Sequence, residues 1–105
     1  MEFVHIGVPT KKVQENEIYL EALKVYVTDA EAHDYKYEYL RFEEDSPIAK
    51  EIQTQTHVAI KVDSIEEELK KGEKVLCEPF DGGDYMIAFM LRDGTVIELM
   101  EPKKK

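Results

Sequence analysis

Cysteine occurs once in this chain of 105 residues, at Cys77, so no internal disulfide can form and a reducing, cytoplasmic setting is the default expectation. Positive charge is scarce. Lys and Arg total 14 against 23 Asp and Glu, a formal net charge of −9, and Arg41 and Arg92 are the only arginines. That field repels phosphate backbones and anionic lipid, which argues against nucleic acid and membranes as partners, but it does not repel divalent cations. No cluster of Arg and Lys speaks for coenzyme A or another large phosphorylated substrate. No apolar run approaches the roughly 20 residues that span a bilayer. The opening "MEFVHIGVPT" has no basic region ahead of a long apolar one, so no signal peptide is expected. No glycine-rich loop leads into a helix and no Ser/His/Asp arrangement is readable, which leaves phosphate cradles and triad hydrolysis without support. The closing "PKKK" at 102–105 reads as a frayed, soluble tail.

What is present is a 43% hydrophobic chain, enough for one domain over 1–105 and too little for two. In "EFVHIGV", Val4, Ile6 and Val8 alternate with Phe3, His5 and Gly7, which predicts a strand ended by Pro9. "KKVQENE" reads as a loop, and "IYLEALKVYVTD" as two short strands or one bulged strand. After the turn "DAEAHD", "YKYEYLRFEE" is a strand with Lys36, Glu38, Leu40 and Phe42 on one face. "DSPIAKEIQTQ" carries a helix start, with Ser46 as N-cap and Pro47 in the first helical position. A strand at 57–62 precedes a capping box, Ser64 with Glu67, for a helix that Gly72 closes. "EKVLCEPF" is a strand, and "YMIAFMLRDGTVIELME" is a hairpin turning on Asp93 and Gly94.

"VHIGVPT" and "THVAIKVDS" both place a histidine at the head of a strand, His5 and His57, and "YEYLRF" and "IELMEP" both place a glutamate in the strand that closes each half, Glu38 and Glu98. From His5 to His57 is 52 positions and from Glu38 to Glu98 is 60. The second half is therefore eight residues longer between its His and its Glu, the length of the capped segment Ser64 to Lys71. The pattern suggests a tandem duplication in which the first copy lost a helix. Two imidazoles and two carboxylates brought together by pseudo-twofold symmetry make an N2O2 site that suits Zn, Ni, Co, Mn or Fe(II). A buried carboxylate pair is costly without a cation, so a metal also answers an electrostatic difficulty.

This arrangement resembles the vicinal oxygen chelate superfamily, which contains glyoxalase I, methylmalonyl-CoA epimerase, extradiol dioxygenases and bleomycin-resistance proteins. "EYLRFEEDSPIAKEI" followed by "THVAIKVDSIEEELKKG" is similar to the middle of the epimerase and glyoxalase branch, and "YMIAFMLRDGTVIELME" to its closing hairpin. The likeness is best over about residues 35–101. The resemblance implies an α+β fold of two tandem βαβββ modules in a curled, half-open mixed sheet around a cavity. Module one would cover about 1–45, a linker helix 46–55 and module two 56–101, with module one lacking most of its helix. It implies His5, Glu38, His57 and Glu98 as ligands of a divalent metal ion, and Glu38 or Glu98 as the base that moves a proton next to a carbonyl. The implied activity is a metal-dependent isomerase or lyase step on a small molecule. The alternative is a non-catalytic sequestration protein of the same fold, and in either case a homodimer is expected.

Other residues have plainer readings. Taken singly, His5, His57 and Glu38 could be ordinary strand residues, whereas Glu98 sits in "TVIELM" with apolar flanks on both sides. His33 is expected to be solvent-exposed and Cys77 to pack as a small hydrophobe. Met86, Met90, Met100 and Phe89 are expected in the core. Tyr19, Tyr26, Tyr35, Tyr37, Tyr39 and Tyr85 would suit stacking on a ligand in the sequestration reading.

Overall fold

Strict alternation in "EFVHIGV" puts His5 and Gly7 on one face of a strand and Val4, Ile6 and Val8 on the other. The structure, a computed structural model that describes residues 1–104, makes this β1 (Glu2–Pro9). The chain continues through β2 (Ile18–Leu20), β3 (Val25–Val27), a 3-10 turn (Ala30–Ala32), β4 (Tyr37–Phe42), α1 (Lys50–Thr54) and β5 (His57–Lys61). It ends with α2 (Ile65–Leu69), β6 (Lys74–Asp81), β7 (Tyr85–Arg92) and β8 (Thr95–Pro102). The strands form one mixed, curled sheet of eight in the order β2-β3-β4-β1-β5-β8-β7-β6.

The order is a palindrome of two four-strand units, and the register proves their equivalence. At the centre β1 and β5 run antiparallel, with His5 opposite Ala59, Ile6 opposite Val58 and Gly7 opposite His57. A twofold axis through the Ile6–Val58 pair therefore exchanges His5 with His57 and Gly7 with Ala59. Each central strand has a parallel neighbour: β1 pairs β4 with Gly7 against Glu38, and β5 pairs β8 with Ala59 against Glu98. Glu38 and Glu98 thus hold the same place relative to the axis, which is why offsets of 52 and 60 both belong to one repeat.

The sheet is covered on both faces in the second unit. On the cavity side Ile52 of α1, 1% exposed, packs with Phe89 and Val96. On the other side Ile65 and Leu69 of α2 pack against Ala88, Met90 and Leu99. Ser64 caps α2 by accepting from the Glu67 backbone N–H at 3.2 Å. The rest of the predicted box is replaced: Glu101 accepts from the Ile65 N–H at 2.8 Å, while Glu67 pairs with Lys70. Asp93 (φ 51) and Gly94 (φ 78) both take positive φ, the requirement of a two-residue turn that matches the strand twist.

No helix lies between β1 and β2, as the repeat arithmetic implied, and the loop Thr10–Glu17 connects them. The face left bare is covered by aromatic and polar side chains instead. Tyr37 and Tyr39 stand where Ile97 and Leu99 stand in the second unit, 60 positions on. His33 stacks on Tyr37 with ring centres 4.6 Å apart and planes 6° apart, and meets Tyr39 edge-on at 5.7 Å. The Arg41 guanidinium lies 4.1 Å above the Tyr26 ring and is clamped by both carboxylate oxygens of Glu17, at 2.9 and 2.7 Å. His33 is accordingly half-buried rather than solvent-exposed. Tyr26, Tyr37 and Tyr39 are committed to this outer face.

Two further expectations change, and that for Cys77 holds. Ser46 is not an N-cap: α1 starts at Lys50, and the Ser46 hydroxyl donates to the Leu23 carbonyl at 2.7 Å, tying the β2–β3 turn to the linker. Ala49 then holds an extended ψ of 140°, so the helix cannot begin earlier. Cys77 packs as a small hydrophobe against the cluster of Ile52, Phe89 and Val96, while its thiol is pushed up by burial and by the neighbouring Glu78 charge. The tail is less frayed than expected, because Pro102 still pairs in β8 and Lys103 reaches Asp81 at 2.6 Å; Lys105 lies outside the described residues. No helix among the described residues is long and apolar enough to cross a membrane.

Candidate metal centre

Each of the four singled-out residues projects from a different inner strand: His5 from β1, Glu38 from β4, His57 from β5 and Glu98 from β8. All four fall on the face that lines the cavity. One ligand atom from each lies within 4.8 Å of all the others. No other group of three or more His, Cys, Asp and Glu among the described residues is gathered in this way. His5, His57 and Glu98 are 6%, 0% and 5% exposed, the only buried polar side chains of the described residues.

The internal geometry is centred on one oxygen. His57 Nε2 donates to Glu98 Oε1 at 2.9 Å and His5 Nε2 donates to the same oxygen at 3.2 Å. Glu38 Oε1 stands further off, 3.4 Å from His5 Nε2. The electrostatics separate the two carboxylates. Burial alone pushes the Glu98 carboxyl up, but hydrogen bonds from both imidazoles win and hold it down to about 2. Glu38 lacks such donors. Burial and the charge of Glu98 push it up to about 7, with His5 only partly offsetting them. For His5, burial opposes protonation, but the hydrogen bond and charge of Glu98, with Glu38 behind, outweigh it and raise the ring.

Gly7 and Ala59, which the sequence pattern did not single out, and Phe89, expected only as core, set this geometry. A Cβ on Gly7 would lie 2.0 Å from His57 Cε1 and 2.3 Å from its Nε2, so the ring occupies the space of the absent side chain. Ala59, its symmetry equivalent, sits opposite His5. Phe89 meets the His57 ring edge-on at 5.2 Å and pairs across the strands with Glu98. These contacts orient His57 without a hydrogen bond at Nδ1, which has no partner among the described residues. The signal was in the sequence: "HIG" and "HVA" repeat a histidine followed two residues later by a small residue on the same face.

The donor set fits a borderline divalent cation: two imidazole nitrogens and two carboxylate oxygens on a pre-gathered, nearly dry framework. His5, Glu38 and Glu98 line a cavity of about 660 Å³ between the two halves of the curled sheet, within the range of small-molecule sites, with His57 buried behind them. Phe89 and Met100 are buried in the core, as expected, and also border the cavity, while Met90 packs under α2 and Met86 beside it. Of the six tyrosines only Tyr19 reaches the cavity.

Fold and site together define a small α+β protein of two four-strand units, only the second with a helix after its first strand, and a candidate metal centre at their junction. No protein-family model and no curated protein matches the sequence. Among solved structures, a hypothetical protein from Bacillus halodurans is similar, with a TM-score of 0.64 at 22% identity, covering 99% of this chain and 96% of that one. At that identity the likeness speaks for the fold. Methylmalonyl-CoA epimerase from Mycobacterium tuberculosis is more distant, with a TM-score of 0.49 at 14% identity over 98% of this chain and 89% of that one.

Proposed function

We propose that this chain is a small-molecule metalloprotein of the vicinal oxygen chelate type, with a glyoxalase- or epimerase-like proton transfer next to a carbonyl. The observation that carries the reading is the convergence of His5, Glu38, His57 and Glu98, two from each unit, beside a cavity that three of them line. A divalent cation held by these four would supply Lewis acidity toward two adjacent substrate oxygens.

The remaining work falls to the chain. Glu98 is locked by two imidazoles and serves to orient them. Glu38 is the better base: its side chain keeps 24% exposure toward the cavity, and its one close partner stands at 3.4 Å. A carboxyl with this freedom can take a proton from a carbon and return it. The apolar wall around Phe89 and Met100 keeps bulk water from the transferred proton. The same apolar wall also favours a second reading, sequestration of a small ligand without turnover.

The deciding experiment is metal analysis by mass spectrometry on untagged protein, wild type and the His57→Ala and Glu98→Ala variants. The expected result is near-stoichiometric metal in the wild type that both substitutions abolish. Wild-type protein that takes up none of Ni, Co, Zn or Mn refutes the metalloprotein reading and leaves sequestration. Sedimentation equilibrium tests the expected homodimer.

A further inference from the structure

Beyond the His–Glu end the cavity wall is apolar, built from Leu40, Phe42, Ile48, Ile87 and Phe89 with Met100. The acidic and histidine side chains lining it are His5, Glu38 and Glu98 at the cluster, and Glu21 and Asp81 elsewhere; no lysine or arginine among the described residues lines it. Asp81 is neutralised by Lys103 at 2.6 Å. Glu21, exposed in the turn between β2 and β3, forms no ion pair among the described residues.

The charge balance selects among ligands. Away from the cluster the lining offers no cationic side chain among the described residues to meet the distal part of a ligand. An anionic tail would exchange water for hydrocarbon with no counter-charge, and would face Glu21 at the rim. A cationic tail meets Glu21 instead.

We infer that the ligand of this cavity is a small, apolar-bodied molecule with adjacent oxygens at the cluster and an amine, rather than a carboxylate or phosphate, at its other end. The orientation rests on the reading of the cluster given above. The selectivity against anions rests on the cavity lining alone.

Three probes that share one body separate these parts: 1-naphthylmethylamine, 1-naphthylmethanol and 1-naphthoate. They are titrated into metal-free, untagged protein by calorimetry, with methyl NMR shifts of Ile87 and Met100 locating them. The amine should bind at least about tenfold tighter than the carboxylate, with the alcohol between them. Glu21→Gln should bring the amine to the level of the alcohol, and Glu21→Lys should invert the order of amine and carboxylate. A carboxylate that binds as tightly as the amine, an amine advantage that survives Glu21→Gln, or no saturable shift at Ile87 and Met100 overturns the inference. Because the probes chelate nothing and the protein holds no metal, this result is independent of the metal analysis. A protein that binds no metal but keeps the order amine, alcohol, carboxylate would retain the selectivity and lose only the proposed function.

Discussion

Adding one carbon at Gly7 should disable the site from the neighbouring strand. Gly7 lies in regular strand opposite His57, and its φ is not positive, so alanine in an open position here would stabilise by about 0.5–1 kcal/mol. The position is not open. All three nearest heavy atoms to an added Cβ belong to the His57 ring, at 2.0, 2.3 and 2.5 Å, and that ring is 0% exposed. Overpacking of this kind costs about 1–3 kcal/mol. Displacing the ring also breaks its 2.9 Å bond to Glu98, a charge-assisted bond worth about 1.5–3 kcal/mol. The net expectation for Gly7→Ala is a loss of about 2–4 kcal/mol. In a His57→Ala background the obstructing atoms are gone, so the same change should be neutral or slightly stabilising. Urea unfolding of the four proteins, followed by far-UV circular dichroism, measures the cycle. A coupling of about 3 kcal/mol is expected. Additive losses, with Gly7→Ala equally harmful in both backgrounds, would refute the account of how His57 is held.

Metal-free protein should lose stability as the pH rises from about 5 to 8. Glu38 is raised from 4.5 to about 7, so between those values the unfolded chain releases a proton that the folded one keeps, at a cost approaching 3 kcal/mol. His5, also raised, stabilises below its unfolded value of 6.5 and loses that contribution as the pH climbs through its folded value. Glu98 acts the other way, stabilising above 4.5 and failing only as the pH falls toward 2. Denaturation midpoints that stay flat or rise from pH 5 to 8 in the presence of chelator would contradict this, and Glu38→Gln should flatten the decline. Ser64→Ala should cost about 1 kcal/mol through loss of the α2 cap, read as a lower urea midpoint with unchanged slope. Gly94→Ala, at φ 78, should cost about 1 kcal/mol, whereas Asp93→Gly at φ 51 should be tolerated.

Much of the candidate site was legible because the two halves of the chain carry the same residue pattern twice. His5 and His57, and Glu38 and Glu98, could each be dismissed singly, yet their matched order along the two halves pointed to one place, and the structure gathers all four within 4.8 Å. Strand periodicity in "EFVHIGV", the Ser64 cap and the Asp93–Gly94 turn were equally readable, since each depends on contacts within a few residues. Ser46 shows where local rules stop. Its Ser-Pro pair reads as a helix start, but the hydroxyl is claimed by Leu23, 23 positions earlier, and the helix begins four residues later.

Local patterning and an internal repeat were therefore enough to point to most strands, the missing helix and the four candidate residues that the fold gathers, because alternation and spacing are properties of the chain itself. Tertiary structure alone decided the rest. It placed Gly7 against His57, so that a missing side chain became the seat of a ring. It made the two glutamates different, since Glu98 meets two imidazoles and Glu38 meets one at longer range. It also sent Tyr37 and Tyr39 outward to cover, with His33, the face that a helix covers in the other half. Each of these depends on which side chains from distant segments share a volume and compete for the same donors, and no spacing along the chain encodes that.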